Sequence, residues 1–160
     1  MIGVIGGMKE FGDQTLVYNG IFHHGVDVKR RVQIPAKWRP KKAGAQFTVI
    51  LWPKHPAGKC LRVLPEERMA KLLGEIEQIP NSDPNKTVLM RVIGTKSVQV
   101  NLDKGGRICL PEEMAREAGI KDKVVLAGLL DQFEIWSPDR YAQVEVMDNL
   151  LAHDAFKMIP

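Results

Sequence analysis

An aspartate followed four residues later by an arginine occurs twice in this chain of 160 residues. Asp27 and Arg31 lie in the stretch VDVKRRVQIPAKWR, and Asp103 and Arg107 lie in the similar stretch LDKGGRICLPEEMAR. In each copy the arginine begins an alternation of apolar and polar residues that ends at a proline. A carboxylate that faces a guanidinium across such a short turn can form an exposed ion pair worth less than about 1 kcal/mol.

A second use of these side chains is anion binding. Lys29 and Arg30 stand beside Arg31. Neighbouring cations repel each other, so such a cluster is expected where its electrostatic field is tolerated or is used to bind an anion. Phosphate is one such anion. The residues alone leave both interpretations open, although the recurrence of the turn weakens the simple ion pair.

The charge of the chain is concentrated in one segment. The net charge is +4, yet residues 27–62 contain ten lysines and arginines against one acid and carry +9. A concentrated basic surface attracts polyanions by releasing their counterions, whereas an evenly spread charge mainly maintains solubility. Charge alone therefore allows either a solvated basic loop region or a nucleic-acid surface.

Composition limits the class of protein. Apolar residues make up 44% of the chain, but no apolar run approaches the ~20 residues of a membrane helix. The apolar start MIGVIGGM lacks a basic beginning, which argues against a secretory signal. Cys60 and Cys109 belong to no C-x-x-C motif, so we expect neither a disulfide framework nor a zinc site, and a reducing cytoplasm fits them best.

The similarity between the copies extends beyond the turns. CLRVLPEERMAKL at 60–72 aligns with QFEIWSPDRYAQV at 132–144, so that Arg68 falls on Arg140. The offset is 72 there and 76 at the turns, and the loop LWPKHPAGK accounts for the difference. Two copies, one with a longer loop, are the simplest explanation.

Each copy contains the same predicted elements. Val98, Val100 and Leu102 alternate with polar residues as in a half-buried strand, and alternation resumes after the turn DKGGR. The two glycines suit a tight hairpin that places aspartate and arginine opposite each other. A helix is predicted from Pro111 to Gly119, two strands in KVVLAGLLDQFEIW, and another helix after the start signal SPD.

Three further segments complete the prediction. A helix from Pro65 places its apolar residues on one stripe that packs on the core or on a neighbouring chain. Residues 79–86, IPNSDPNK, are predicted to form a loop between the halves. The run from Tyr141 to Leu151 is helical in pattern, with few partners in its own chain, so another subunit is a natural partner.

The residues give little support to other function classes. His23 and His24 are adjacent, and since consecutive strand residues point to opposite faces, they cannot readily act on one metal or one proton. Cys60 and Cys109 could be imagined as nucleophiles, but Cys109 lies in a strand between two apolar residues. Neither a phosphate-binding glycine loop nor a paired-carboxylate signature is present, which disfavours an enzyme. A ring-forming interaction protein and an RNA-binding module remain as alternatives, the latter weakened by an aromatic content of 6%.

The stretches VDVKRRVQIPAKWR, LDKGGRICLP, REAGI and VVLAGLLDQFEIWSPDRY together resemble the MraZ family, which are bacterial transcription regulators with two SpoVT-AbrB-like repeats. The resemblance covers about residues 17–145. The doubled D-x-x-x-R combined with G-x-x-x-x-F-E-I-W is highly specific. It implies an α+β fold, mainly β, in which a pseudo-twofold tandem repeat forms an AbrB-like swapped-hairpin, double-ψ-like β-barrel with flanking helices. The expected divisions are an N-terminal extension, repeat 1, a linker or pairing segment, repeat 2 and a C-terminal helical tail, at 1–16, 17–80, 81–94, 95–145 and 146–160.

The same resemblance implies a partner. It indicates a cytoplasmic, nucleoid-associated homo-oligomeric ring that binds short G-rich direct repeats in double-stranded DNA upstream of the division and cell-wall gene cluster. No cofactor, metal, membrane or small-molecule substrate is expected. The residues concerned are the central contacts, the orienting carboxylates and the phosphate contacts: Arg31 and Arg107, Asp27 and Asp103, and Lys29, Arg30 and Lys104.

This assignment agrees with the chemistry of the side chains. An arginine fork matches O6 and N7 of guanine, and an aspartate that holds the fork in one rotamer lowers the entropy lost on contact. Contacts to phosphates position a protein without specifying sequence. A ring would offer many weak loops at once and gain affinity through effective concentration.

The chain departs from the family pattern at two positions. Arg30 stands where the family usually has glycine, and Ala115 stands where the family usually keeps the arginine found here at Arg39. Residues 103–123 contain five charges of each sign. We therefore expect the first turn to have a less easy backbone and the first copy to supply more of the electrostatic affinity.

Overall fold

A computed structural model describes residues 16–160, so the predicted N-terminal extension lies outside the described residues except for Leu16. The strands are β1 (Ile21–Gly25), β2 (Arg31–Gln33), β3 (Gln46–Trp52), β4 (Cys60–Pro65), β5 (Ser97–Asn101), β6 (Arg107–Cys109), β7 (Lys123–Gly128) and β8 (Phe133–Trp136). The helices are α1 (Glu66–Glu77), α2 (Pro84–Thr95), α3 (Glu112–Glu117) and α4 (Pro138–Phe156), with a short 3-10 turn at Ala36–Trp38. This mixture confirms the predicted α+β class.

The strands form one large and one small sheet. Six strands pair antiparallel in the order β1-β7-β8-β4-β3-β5, which leaves β1 and β5 at the two edges. The remaining strands, β2 and β6, pair antiparallel with each other. The small sheet is therefore a two-stranded ribbon beside the large one.

Strand pairing crosses repeatedly between the two halves of the chain. Two pairs, β3–β4 and β7–β8, are hairpins within a half. The other four pairs, β1–β7, β2–β6, β3–β5 and β4–β8, join a strand of the first half to a strand of the second. Neither half can therefore form its sheet alone, and the turns of both halves are brought to one ribbon.

An apolar core lies under the large sheet. The central strands β3 and β4 are buried along nearly their whole length, which explains their continuous apolar sequences. Phe133 is fully buried, and its ring centroid lies 5.0 Å from Trp38 and 5.9 Å from Phe47. Val32 and Ile108 of the ribbon are also buried in this core. Packing of one ribbon face on the core turns the opposite face toward solvent.

Helix boundaries follow the predicted signals. Gly119 has φ +71°, its amide donates to Arg116, and the Ile120 amide donates to Ala115, which is a Schellman ending for α3. Ser137 accepts a hydrogen bond from the Arg140 amide at 3.3 Å and caps α4. Both predicted helix signals are confirmed.

The segment between the halves contains an unpredicted helix. Helix α2 covers Pro84–Thr95, so the loop predicted at 79–86 ends at Asp83, and most of the predicted linker is helical. Asp83 caps it by accepting from the Asn85 amide at 2.9 Å, and Pro84 occupies the first turn. The prediction missed this helix although D-P is the same kind of start signal as S-P at Ser137.

Two aligned arginines connect each half to a hairpin loop of the other. Arg68 of α1 lies 3.3 Å (Nε to Oδ2) from Asp131, in the β7–β8 loop. Arg140 of α4 donates from Nη1 to the Lys59 carbonyl at 2.7 Å, in the β3–β4 loop. The helix that follows the hairpin of each half thus contacts the hairpin loop of the other half.

Candidate functional site

The first D-x-x-x-R turn is closed by both backbone and side-chain hydrogen bonds. The Arg30 amide donates to the Asp27 carbonyl at 2.9 Å, and the Asp27 amide donates to the Arg31 carbonyl at 3.2 Å. Asp27 Oδ1 accepts from the Lys29 amide at 2.9 Å and from the Arg31 amide at 2.8 Å. Its other oxygen, Oδ2, accepts from Arg31 Nε at 2.6 Å. The carboxylate therefore fixes the turn and the guanidinium together.

The second turn repeats this arrangement with one looser contact. The Gly106 amide donates to the Asp103 carbonyl at 3.0 Å, and the Asp103 amide donates to the Arg107 carbonyl at 2.9 Å. Asp103 Oδ1 accepts from the Arg107 amide at 2.9 Å. Arg107 Nε lies 3.3 Å from Asp103 Oδ2 as an ion pair without hydrogen-bond geometry. The prediction that each aspartate faces its arginine across the turn is confirmed.

The two turns share an unusual backbone conformation. Gly106 has φ +79°, and Arg30, 76 residues earlier, has φ +60°. This left-handed region is open to glycine but costs about 1–2 kcal/mol for other residues. The expected strain at Arg30 is present, yet the first turn keeps the same geometry as the second.

Strands β2 and β6 bring the two arginines onto one surface. Arg31 is paired with Cys109, and Gln33 is paired with Arg107. Since Val32 and Ile108 point into the core, the residues on either side of each point outward. Arg107 Nη1 lies 4.0 Å from Asp27 Oδ2, so the first carboxylate is near both guanidinium groups. The two turns form one composite site with two guanidinium groups, which we call the ribbon site: Asp27, Arg31, Gln33, Asp103, Arg107 and Cys109.

The ribbon site is accessible to a ligand. The side chains of Arg31 and Arg107 are 32% and 35% exposed. The predicted phosphate contacts Lys29 and Lys104 are exposed at the turns. These exposures leave room for a large anion to reach both guanidinium groups.

The carboxylates of the ribbon site are held in the charged state. Hydrogen bonding from the Arg31 amide lowers the pKa of Asp27 below its usual value, aided by the Arg31 side chain and the Lys29 amide. The pKa of Asp103 is lowered in the same way, first by the Arg107 amide. Desolvation opposes both effects and is the second-largest influence on each pKa, but the net shift is downward. Both aspartates are therefore anionic near neutral pH and remain able to orient the arginines.

Two further arginines lie behind the turns. Arg39 donates from Nε to the Ile34 carbonyl at 2.8 Å and lies so close over Gly106 that a Cβ there would overlap its guanidinium. Arg30 donates from Nε to the Leu110 carbonyl at 3.0 Å. Leu110 is the counterpart of Ile34, 76 residues later, in the second half. Arg30 therefore makes to Leu110 of the second half the contact that Arg39 makes to Ile34 of the first.

Ala115 is the counterpart of Arg39 in the second half, and its small side chain bears on where Arg30 lies. Ala115, 76 residues after Arg39, is buried and lines the same cleft as Arg30. A small side chain at 115 leaves the space that the Arg30 side chain uses. The two departures from the family pattern are therefore spatially linked, which the sequence alone did not indicate.

Sequence reasoning did not select Gln33 or Cys109 as site residues. Both lie on the outward face of the ribbon beside the arginines, and the alternation around Val32 and Ile108 was the available signal. Cys109 is exposed, in agreement with a surface thiol, whereas Cys60 is buried and burial raises its pKa.

The rival sites gain no support from the described residues. His23 and His24 are consecutive in β1 and pair with Val125 and Val124 of β7, so they face opposite sides of the sheet. Within residues 16–160, no three or more His, Cys, Asp or Glu side chains are grouped as metal ligands. None of the helices in this range is long and apolar enough to cross a bilayer.

Comparisons with known proteins cover most of the chain. The family model "MraZ protein, putative antitoxin-like" matches residues 94–156, which include the second turn, β6 and the whole of α4. A protein of Leuconostoc citreum named transcriptional regulator MraZ is 32% identical over 125 residues, which cover 78% of this chain and 84% of that protein. The chain belongs to the MraZ family.

Other MraZ proteins agree with this assignment. The transcriptional regulator MraZ of Leuconostoc mesenteroides is 31% identical over 79% of this chain and 85% of its own length. That of Saccharophagus degradans is 33% identical over 72% of this chain and 79% of its own length. The resemblance noted from the sequence motifs is thus confirmed. These relatives are named as regulators of transcription and not as enzymes.

Proposed function

We propose that this MraZ-family chain is a sequence-specific regulator of transcription that binds double-stranded DNA through the ribbon site. The observation that carries the proposal is the geometry of Arg31 and Arg107. Each guanidinium is held by the aspartate of its own turn, and both lie on one outward face with Arg107 Nη1 4.0 Å from Asp27 Oδ2. Two oriented arginine forks on one ribbon suit adjacent guanines in a major groove, which admits a two-stranded β-ribbon.

The other cations of the turns fit a positioning role. Lys29 and Lys104 are exposed at the turns, and in this proposal they contact the phosphates of the DNA backbone. Arg30 commits Nε to Leu110, so it would contact phosphate through its terminal nitrogens. Arg39 of the first copy lies against Gly106 of the second turn. The positive charge of the first copy is therefore next to both turns, in support of its larger electrostatic share.

The same proposal extends to the architecture. The four strand pairs that join the halves support a swapped-hairpin arrangement of two repeats, with the six-stranded sheet and the ribbon as parts of a double-ψ-like barrel. In this arrangement one chain displays both turns together. The corresponding repeats would be 17–80 and 95–145, followed by the helical tail 146–160.

We also propose that the functional form is a homo-oligomeric ring in the cytoplasm at the nucleoid. Its support is a set of large apolar side chains left exposed in one chain, on α1, α2 and α4 and at the C-terminus: Leu73, Val88, Met90, Val92, Val146, Leu150, Leu151, Phe156, Met158 and Ile159. So many exposed apolar side chains on helices indicate protein contacts. A ring would present one ribbon site per subunit to short G-rich direct repeats, such as those expected upstream of division and cell-wall genes.

Fluorescence anisotropy with short duplexes tests this function. Labelled DNA with G-rich direct repeats is compared with a shuffled duplex of equal composition and with RNA of the same sequence. We expect at least about a hundredfold preference for the direct repeats over the shuffled duplex. Equal affinity for both duplexes, or tighter binding to RNA, would refute sequence-specific DNA recognition and favour the interaction-protein or RNA alternatives.

Two kinds of substitution separate base recognition from phosphate contacts. Arg31→Lys and Arg107→Lys keep the charge but remove the fork, so we expect each to lose about 1–3 kcal/mol of discrimination between the duplexes. Lys29→Gln is the matched control and should weaken binding to both duplexes alike, with a salt slope smaller by about one.

A salt series with Arg31→Ala and Arg107→Ala tests how much of the electrostatic affinity each copy supplies. A larger loss or larger slope change for Arg107→Ala would contradict the larger share of the first copy.

A further inference from the structure

We propose that Gln33 and Cys109 are positioning residues that each hold the D-x-x-x-R turn of the other half. Gln33 Nε2 donates to the Gly105 carbonyl at 2.8 Å and lies 3.4 Å from that of Gly106. Cys109 Sγ donates to the Lys29 carbonyl at 3.2 Å. Each strand of the ribbon thus supplies a side-chain tether to the turn that precedes the opposite strand.

The two tethers are equivalent in position. Cys109 follows Gln33 by 76 residues, and Gly105 follows Lys29 by the same 76. In each case the acceptor is the central residue of the three between aspartate and arginine. One contact therefore occurs twice, with an amide donor in one half and a thiol donor in the other.

A tether at this point restrains the tip of the turn. The backbone hydrogen bonds between aspartate and arginine close the base of each turn, and the Ile34 and Leu110 amides bind the Gly106 and Arg30 carbonyls beside its tip. Among the described residues, the carbonyl of the central residue is bound to the opposite strand by the side-chain tether alone. The carbonyl that accepts the tether lies at this tip. The aspartate of each turn accepts a hydrogen bond from the amide of its arginine, and the tip lies between these two residues. A tip held in one position therefore also restrains the direction of the Arg31 or Arg107 side chain.

The two tethers differ in strength. An amide N–H is an ordinary donor to a carbonyl, whereas a thiol is a weak donor. The second turn is thus held firmly by Gln33 while its Asp103–Arg107 pair is loose at 3.3 Å. The first turn is held weakly by Cys109 while its Asp27–Arg31 pair is tight at 2.6 Å. We infer that Gln33 matters more for its turn than Cys109 does.

Amide hydrogen exchange of the free protein tests the tethers without DNA. Gln33→Ala is expected to speed exchange of the amides in 104–107 by about three- to tenfold, because it removes one hydrogen bond, while 28–31 stay unchanged. Cys109→Ala should speed exchange in 28–31 by a smaller factor, and Cys109→Ser, which keeps a donor, should restore it. Gln99→Ala, the same change at an exposed position on β5, is the matched control.

Three outcomes of the exchange experiment would overturn the tethers. One is equal acceleration in both turns, which would indicate general loosening. Another is no acceleration in either turn. The third is exchange in Cys109→Ser as fast as in Cys109→Ala, since a hydroxyl donor should then have replaced the thiol. A denaturation midpoint unchanged by Gln33→Ala would accompany the expected local effect.

The functional part of this inference rests on the proposed DNA binding. Gln33→Ala removes no charge, so we expect about three- to tenfold weaker binding to the G-rich duplex with an unchanged salt slope. Wild-type affinity in a variant whose second turn exchanges faster would show that the tether has no role in binding. If the wild-type chain binds neither duplex, the proposed function fails, whereas the exchange experiment still decides whether the tethers exist.

Discussion

At the scale of single residues, Asp27 and Asp103 are held in the charged state more by backbone amides than by the side chains of their arginines. The largest cause of the lowered pKa of Asp27 is the hydrogen bond from the Arg31 amide, which any residue at position 31 would donate. We therefore expect the pKa of Asp27 to stay below its usual value in Arg31→Ala. A carboxyl NMR titration of the variant measures it. A return to the ordinary value near 3.9 would show that the guanidinium is the main cause.

The sign of the pH dependence follows from these shifts. Each folded-state pKa is lower than in the unfolded chain, so each aspartate's contribution to stability is complete above its unfolded value near 3.9. It is lost as the pH falls through the lowered folded value. The turns should therefore be unaffected between about pH 5 and 8 and should loosen in stronger acid, as the same titration would report through the Gly106 amide.

Arg30 and Ala115 form a second pair whose effects should be coupled. The side chain introduced by Ala115→Arg would compete with Arg30 for one cleft, so we expect this variant to lose about 1–3 kcal/mol of stability. In the double variant with Arg30→Gly, the new arginine can donate to Leu110 as Arg39 donates to Ile34, and glycine relieves the left-handed strain. Urea denaturation of the four proteins should give a favourable coupling of about 1 kcal/mol or more. Additive losses of stability would contradict the idea that an arginine at position 115 can replace Arg30 as the donor to Leu110.

At the scale of elements, the ribbon depends on the conformation of its two turns. Gly106 needs φ +79° and lies under the Arg39 guanidinium, whereas Gly105 has no such φ and its nearest neighbour, Arg107 Nε, would be 3.3 Å from a Cβ. Gly106→Ala is expected to cost about 2 kcal/mol or more, and Gly105→Ala well under half of that.

Urea denaturation and binding to the G-rich duplex measure these effects. The control is Gly106→Ala in the Arg39→Ala background, compared with Arg39→Ala alone. The overlap is then absent and the loss of the Arg39–Ile34 hydrogen bond is common to both proteins, so the difference gives the cost of the backbone conformation. Equal stability of the Gly105 and Gly106 variants would show that the second turn tolerates a different conformation.

At the scale of the whole molecule, exposed apolar residues on α4 concern assembly. Val146 and Leu150 are one helical turn apart and are 62% and 79% exposed in the single chain of 18.0 kDa. If α4 contributes to the proposed ring, Val146→Glu with Leu150→Glu should lower the mass in light scattering and keep the fold. Binding to a duplex with several direct repeats should fall much more than binding to one repeat, because avidity is lost.

The matched control for assembly is Glu145→Gln with Asp148→Asn, which changes the charge of the same helix but leaves its exposed apolar residues intact. We expect this variant to keep the mass of the wild type. An undiminished mass in the Val146 and Leu150 variant would place the subunit contact elsewhere, and the exposed residues of α2 would be tested next.

The sequence by itself determined the elements that depend on local rules. Alternation predicted the strands, Ser137 and Gly119 marked helix ends, and the doubled D-x-x-x-R motif predicted both turns and the family. These succeed because capping, glycine conformations and the period of a strand are set by neighbouring residues. Helix α2 was missed only because the start signal at Asp83 was taken for part of a loop.

Only the tertiary structure decided how the parts meet. It placed Arg31 and Arg107 on one face, Arg39 against Gly106, and Gln33 and Cys109 on the turns of opposite halves. These contacts join residues 67 to 80 positions apart, and local preferences say nothing about which distant strands pair. Pairing is decided by the burial of both ribbon and sheet in one shared core, which requires the whole chain.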